Sequence, residues 1–409
     1  MKALWLSHFV PWPSTGHGAL ARSYHLVRET AHRTELHLVA LAPPAHGDSA
    51  LPDALTRAHE ALSEYCASVA LLPVWPGISR GGRALQVLRA WPSAESFWER
   101  WYYSREAHVT LERVLANVRP DVVHIDTVFL RRFAPLVRGP FALNHHNVES
   151  HLLERRVASA QGAGGLFLSN QAGKVLRAER ELSARAATNV MVSQTDAERL
   201  TALVPSARTH VVANGVDLEF FRLAPVVESN ARELVFLGGM DWFPNRDAVD
   251  WFVADLWPVL ARQGIVERAT IVGRAPTAAL LRAAASDARL VATGFVDDVR
   301  PHVARAAIFI CPMRVGGGTR LKILDALAMG RVLISTALGV EGIPVVDGEH
   351  YLRAETPDDF ARQIARVAGD AAMRARLGAA GRALVEREFG WRELGERLTN
   401  AWRDVAIPH

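Results

Sequence analysis

Arg320 and Lys322 stand in the segment PMRVGGGTRLKILDALAMGRVLISTALGVEGIP, residues 312–344, just after three consecutive glycines, 316–318. Leu321, Leu324, Leu327 and Ala328 recur at helical spacing and stop at Gly330. This predicts a short helix over 320–329 with Thr319 as its N-cap. Positive charge in a first helical turn opposes the helix dipole, so the two cations need another reason to be there. Gly316, Gly317 and Gly318 with exposed N–H groups, a helix N-terminus and two basic side chains together make an anion site, for which phosphate is the natural occupant. Asp325 lies one turn further on, roughly 8 Å from Arg320 at about 1.5 Å per residue. That is about the span from a nucleotide's diphosphate to its ribose hydroxyls, which a carboxylate accepts as a hydrogen-bonded pair. A glycine turn feeding an ordinary amphipathic helix is the alternative, and it leaves the paired cations unexplained.

The elements that position these residues alternate regularly. In the first half, short apolar runs at 3–9, 35–41, 69–74, 121–126, 141–146, 189–193 and 210–214 read as buried strands separated by amphipathic helices. The second half restarts at 233–240, 269–273, 290–296, 307–312, 332–336 and 351–354, with helices around 247–262, 276–286, 299–304, 320–329, 357–369 and 372–388. The fold class is α/β, with two doubly wound Rossmann-like domains facing each other across a cleft. The first domain is expected over 1–222 and the second over 223–388; 389–409 carries an amphipathic helix returning to the first. Ligands in such sheets bind at the carboxyl ends of strands, where Gly16 and Gly18, Gly238 and Gly239, Gly273, Gly294 and Gly316–Gly318 fall.

Composition narrows the classes. The chain has 409 residues, too many for one ordinary core and suited to two domains. It contains no apolar run long enough for a membrane span, and its N-terminus MKALWLSHFV reads as a first strand rather than a signal peptide. Cys66 and Cys311 lie far apart, so neither a disulfide framework nor a zinc site is indicated and a reducing cytoplasm is the simplest setting. Lysine occurs only at 2, 174 and 322, so the basic charge is almost wholly arginine. No nucleic-acid-binding motif accompanies it. The segment 75–119 gathers Trp75, Trp91, Phe97, Trp98, Trp101, Tyr102 and Tyr103 among arginines and glutamates. It reads as peripheral contact with an anionic membrane at its inner face, as an acceptor groove, or as core packing at helical spacing.

The second half resembles the donor-binding domain of a GT-B glycosyltransferase of the large retaining family 4. The matching pieces run in order: VVANGVDLEFF (211–221), VFLGGM (235–240) followed by Pro244 and Asn245, TIVGRAP (270–276), VATGFVDDVRPHVARAAIFICPMR (291–314), and the segment through EGIP (341–344). FGWRELGERL (389–398) is similar to the family's crossover helix, and PSTGHGALARSYHL (13–26) and HHNVE (145–149) match more loosely. Members commonly carry two acidic residues eight positions apart; here Asp325 takes the second place and Gly317 the first.

The resemblance implies a retaining transferase moving a sugar from a nucleotide-diphosphate sugar to a glycan, glycolipid or polysaccharide precursor. It implies catalytic roles for His146, near the reacting sugar, and for Arg320 and Lys322 on the diphosphate. Gly16, Gly18, Gly239, Arg246, Gly294, Phe295, Gly317, Gly318, Thr319 and Asp325 are the implied donor-binding set. Phe295 as a packed core aromatic, His146 as a polar strand-end cap and Glu149 as the cap of the next helix are the competing structural readings. No Asp-x-Asp triplet occurs, which agrees with a site needing no metal or other cofactor. A nucleotide-sugar 2-epimerase on the same fold, or a non-catalytic nucleotide-sugar or lipid-surface binding protein, is the alternative function.

Overall fold

The computed structural model describes residues 1–12, 18–42, 51–73, 86–159, 162–222, 230–316 and 320–406. The chain divides into two units, Met1–Ala213 with Trp391–His409, and Asn214–Gly390. The first is built on β1 (Lys2–Ser7), β2 (Glu35–Ala42), β3 (Ser68–Pro73), β4 (Val122–Ile125), β5 (Phe141–Asn144), β6 (Thr188–Met191) and β7 (Thr209–Val211). These form one sheet in the order β3-β2-β1-β4-β5-β6-β7. All of its pairings are parallel; Trp5 on β1 stands opposite Leu38 on one side and His124 on the other. Helices cover both faces, so β1 is buried from Ala3 to Ser7 without the alternation of a one-sided sheet.

One face of this sheet packs Trp5, Leu36 and Leu38 against Leu26, Leu394, Leu398 and Trp402. The other packs Leu4, Leu6, Val123 and Ile125 against Leu111, Phe133 and Leu182. The helix Trp391–Arg403 thus belongs to the first unit's core and lies on the helix Gly18–Ala31. Gly395 permits the approach, since a Cβ there would stand 2.3 Å from the Cβ of Glu29. The His25 ring stacks on Trp391 at 4.8 Å.

The second unit holds β8 (Asn230–Leu237), β9 (Arg268–Val272), β10 (Leu290–Gly294), β11 (Ala306–Cys311), β12 (Val332–Ser335) and β13 (Tyr351–Arg353). Their order is β10-β9-β8-β11-β12-β13, again with every pairing parallel. The helix expected over 247–262 is three pieces: Phe243–Trp251, a wide turn Phe252–Leu256, and Trp257–Gln263. Pro258 has no N–H for the regular ladder, and Trp257 N–H reaches back five residues to Phe252 O.

In both sheets the strand order reverses beside the first strand, between β1 and β4 and between β8 and β11. An open parallel sheet leaves its ligand crevice at that point, beyond the carboxyl ends of the strands. The side chains that follow Ser7, Ile125, Leu237 and Cys311 are therefore where each unit has room for chemistry.

Candidate active site

At the switch point of the second sheet, Lys322 Nζ donates to Asn245 Oδ1 at 2.6 Å and lies 4.3 Å above the Phe236 ring. Among the described residues no carboxylate stands within ion-pair distance of it. Removal from water comes first, and the Arg320 charge adds to it: together they pull the ammonium down to about 8. Gly238, with φ +157°, leaves this room, because a Cβ there would come within 2.7 Å of both Lys322 Nζ and the Asn245 amide. Asn245 is itself fixed by donating to Gly239 O at 2.9 Å.

Arg320 is buried, with Nη1 3.9 Å from Glu341 Oε2. The helix is Leu321–Ala328 and Arg320 takes the N-cap position, with extended backbone and no side-chain cap bond. The expected N-cap, Thr319, lies outside the described residues with Gly317 and Gly318, and Gly16 of the first unit does too. Asp325 projects from the next turn; desolvation alone pushes its carboxyl up to about 8. Gly294 ends β10 at φ +72°. Phe295, next to it, is 71% exposed, so it is not the packed core aromatic of the competing reading. Arg246 is exposed and its Nε donates to Met240 O at 3.0 Å, bracing the loop after β8.

At the switch point of the first sheet the Asp126 carboxylate is wholly buried. Ser7 Oγ donates to its Oδ2 at 3.1 Å and Asn144 Nδ2 to its Oδ1 at 3.0 Å. Ser23 Oγ, from the helix that Gly18 opens, lies 3.3 and 3.4 Å from the two oxygens. His146 Nε2 stands 3.3 Å from Oδ1 and His8 Nδ1 3.4 Å from Oδ2. Burial by itself would raise this carboxyl; the two histidines outweigh it and hold it well below the usual range. The buried Arg22 joins the network by donating to Asn144 Oδ1 at 3.3 Å and to Ala213 O at 2.8 Å.

His8 and Asp126 carry no weight in the sequence reading, which places both inside strands. The structure ends β1 at Ser7, β4 at Ile125 and β5 at Asn144, which releases His8, Asp126 and His146 toward one another. Apolar runs that finish on a polar side chain are the only trace in the sequence. His145 is separate: it is buried, with Nε2 3.0 Å from Asn189 Oδ1, and burial lowers it to about 4. Glu149 does not cap the following helix; Glu179 does, accepting from the N–H groups of Glu149 and Ser150. Within the described part of 75–119, Trp98 stacks on Phe129 and Tyr103 packs on Phe133, while Trp91 and Leu88 stay exposed.

Both units match models of known glycosyltransferases: Glycosyltransferase Family 4 over 18–220 and Glycosyl transferases group 1 over 231–370. A GDP-mannose-dependent monoacylated alpha-(1-6)-phosphatidylinositol monomannoside mannosyltransferase from Corynebacterium glutamicum is 28% identical over 225 residues. That alignment covers 51% of this chain and 54% of the relative, so it spans about half of the relative's length. Among solved structures, a sucrose-phosphate synthase from Thermosynechococcus elongatus superposes with a TM-score of 0.71 at 15% identity, covering 99% of each chain. The Anabaena protein HepE, in complex with UDP and glucose, gives 0.68 at 14% identity over 99% of this chain and 100% of its own. The fold is that of the GT-B glycosyltransferases, and the chain belongs to their family 4, the group 1 glycosyltransferases.

Proposed function

We propose that the protein transfers a sugar from a nucleoside-diphosphate sugar to a glycan or glycolipid acceptor, retaining the anomeric configuration. The observation that carries this reading is Lys322, an ammonium screened from water beside the buried Arg320 and answered, among the described residues, by an amide and a ring and by no carboxylate. Lys322 is a buried cation whose counter-charge a diphosphate would supply. The solved HepE complexes hold UDP and UDP-glucose, and the corynebacterial relative is named for GDP-mannose, so nucleoside diphosphates are the common chemistry.

Arg320 and Lys322 then neutralise the charge that grows on the β-phosphate as the sugar bond breaks, so this step calls for no metal. Asp325 accepts from the ribose hydroxyls, the turn at Gly294 and Phe295 meets the base, and His146 meets a sugar hydroxyl. The remaining glycines, Gly16, Gly18, Gly239, Gly317 and Gly318, let backbone approach the donor closely. Retention fits a same-face displacement in which the departing phosphate assists removal of the acceptor's proton. Exposed Trp91, Leu88 and Leu166 support peripheral contact with a membrane carrying the acceptor. No helix of the described residues is long and apolar enough to cross one.

Calorimetric titration with UDP and GDP tests the phosphate site. Lys322→Ala and Arg320→Ala should each weaken the preferred nucleotide by about 10-fold or more, the scale of a charge-assisted hydrogen bond. Unchanged affinity in both variants would sink the assignment.

A further inference from the structure

We propose that Asp126 is a positioning residue that fixes the tautomers of both His8 and His146, so that the two imidazoles present their basic nitrogens to a sugar hydroxyl. The three side chains leave the ends of β1, β4 and β5, with β1 and β4 flanking the switch point. One nitrogen of each imidazole lies near one oxygen of the same carboxylate: His8 Nδ1 at 3.4 Å and His146 Nε2 at 3.3 Å; Asn144 Nδ2, 3.5 Å from that His146 nitrogen, donates to Asp126 Oδ1 and O instead. A ring nitrogen facing an anion keeps its proton there, which leaves the opposite nitrogen as the acceptor. The basic nitrogens are then Nε2 of His8 and Nδ1 of His146. The link to catalysis rests on the reading of His146 given above, whereas the tautomers themselves do not.

The same three side chains have the composition of a metal site, and their ligand atoms all lie within 4.8 Å of one another. Their surroundings favour protons. Both oxygens of Asp126 already accept from Ser7 and Asn144, and Asn144 ties them to the fixed positive charge of Arg22. The other titratable groups packed around the trio are unsuited to take over its role. His124 accepts from Trp402 Nε1 at 3.2 Å and burial lowers it to about 3, so it stays neutral. Tyr102, whose ring centroid lies 5.3 Å from that of His8, is raised by burial to about 12; Glu149 is raised by burial and by Glu179 to about 8. With the ring centroids of His8 and His146 5.7 Å apart, charge on one opposes charge on the other.

The two readings predict opposite tautomers, because a metal needs lone pairs on the nitrogens that face Asp126. Nitrogen-15 NMR of the wild-type imidazoles, assigned with His8→Gln and His146→Gln and recorded where both rings are neutral, should show the Nδ1–H form for His8 and the Nε2–H form for His146. Asp126→Asn keeps the shape but offers one carbonyl oxygen to two rings, so at least one ring should change tautomer. In that variant kcat should fall by about 100-fold or more while donor KM moves less than about 3-fold, as for other carboxylates that orient a histidine. The Nε2–H form of His8 in the wild type, or unaltered tautomers in Asp126→Asn, overturns the proposal. So does stoichiometric Zn²⁺ binding by metal-free protein that Asp126→Asn abolishes. Predicted tautomers with full activity in His146→Gln would instead overturn the role given to His146.

Discussion

Asp325 shows how a single side chain ties the candidate site to pH. Its carboxyl is raised from the usual 3.8 to about 8 by desolvation, so between those values the folded chain holds a proton that the unfolded chain has lost. The associated stability is complete below the ordinary carboxylate range and is lost as pH climbs toward 8. Asp325→Asn removes this dependence; its melting temperature relative to the wild type should therefore rise between about pH 5 and pH 9. Thermal melts across that range check it, and a constant difference between the two proteins would contradict the assignment. The proximity of Arg320, Lys322 and Asp325 was legible in the sequence because they stand at the start of and along one short helix, and a helix converts spacing directly into geometry. His8 and Asp126 were not, since a polar residue at a strand end gains meaning only from the strands beside it. That neighbourhood is set by the sheet order, which no local pattern encodes.

At the scale of elements, each of the thirteen expected strands has a counterpart near its position among the described residues. Strands buried on both faces are written as unbroken apolar runs, the strongest signal a parallel sheet provides. Most of their carboxyl ends were overrun, by one to three residues, because the residues just past the last ladder bond, such as His8 and Asp126, continue the run without a turn signal. The divided helix at 243–263 escaped prediction for a different reason: the wide turn keeps helical periodicity and changes only which carbonyl each N–H meets. Close packing of strand ends supplies the next test. Gly273 has φ +155°, and a Cβ there would lie 2.1 Å from Gly238 O, a backbone atom with nowhere to go. Gly273→Ala should cost more than about 2 kcal/mol, combining backbone strain with overpacking beside β8. Urea denaturation measures it; a midpoint equal to that of the wild type would show that the loop after β9 yields easily.

Across the whole molecule, family membership was readable because the motifs fall in a fixed order over most of the chain, each short but jointly specific. The first unit takes its core from both ends of the sequence. Trp402 is wholly buried, 5.9 Å from the Trp5 ring, and donates to His124. Trp402→Ala should destabilise that unit by about 3–5 kcal/mol, the usual cost of emptying a large aromatic site. In calorimetry the transition of Met1–Ala213 with the C-terminal helix should move down while that of Asn214–Gly390 stays in place. A common shift of both transitions would contradict this. The same arrangement sets an order of events during synthesis. Segments usually fold as they leave the ribosome, N-terminal part first. Here the second unit has all of its residues once Gly390 has emerged, whereas the first must wait for Trp402, so of the two units the one begun earlier is the later to be finished.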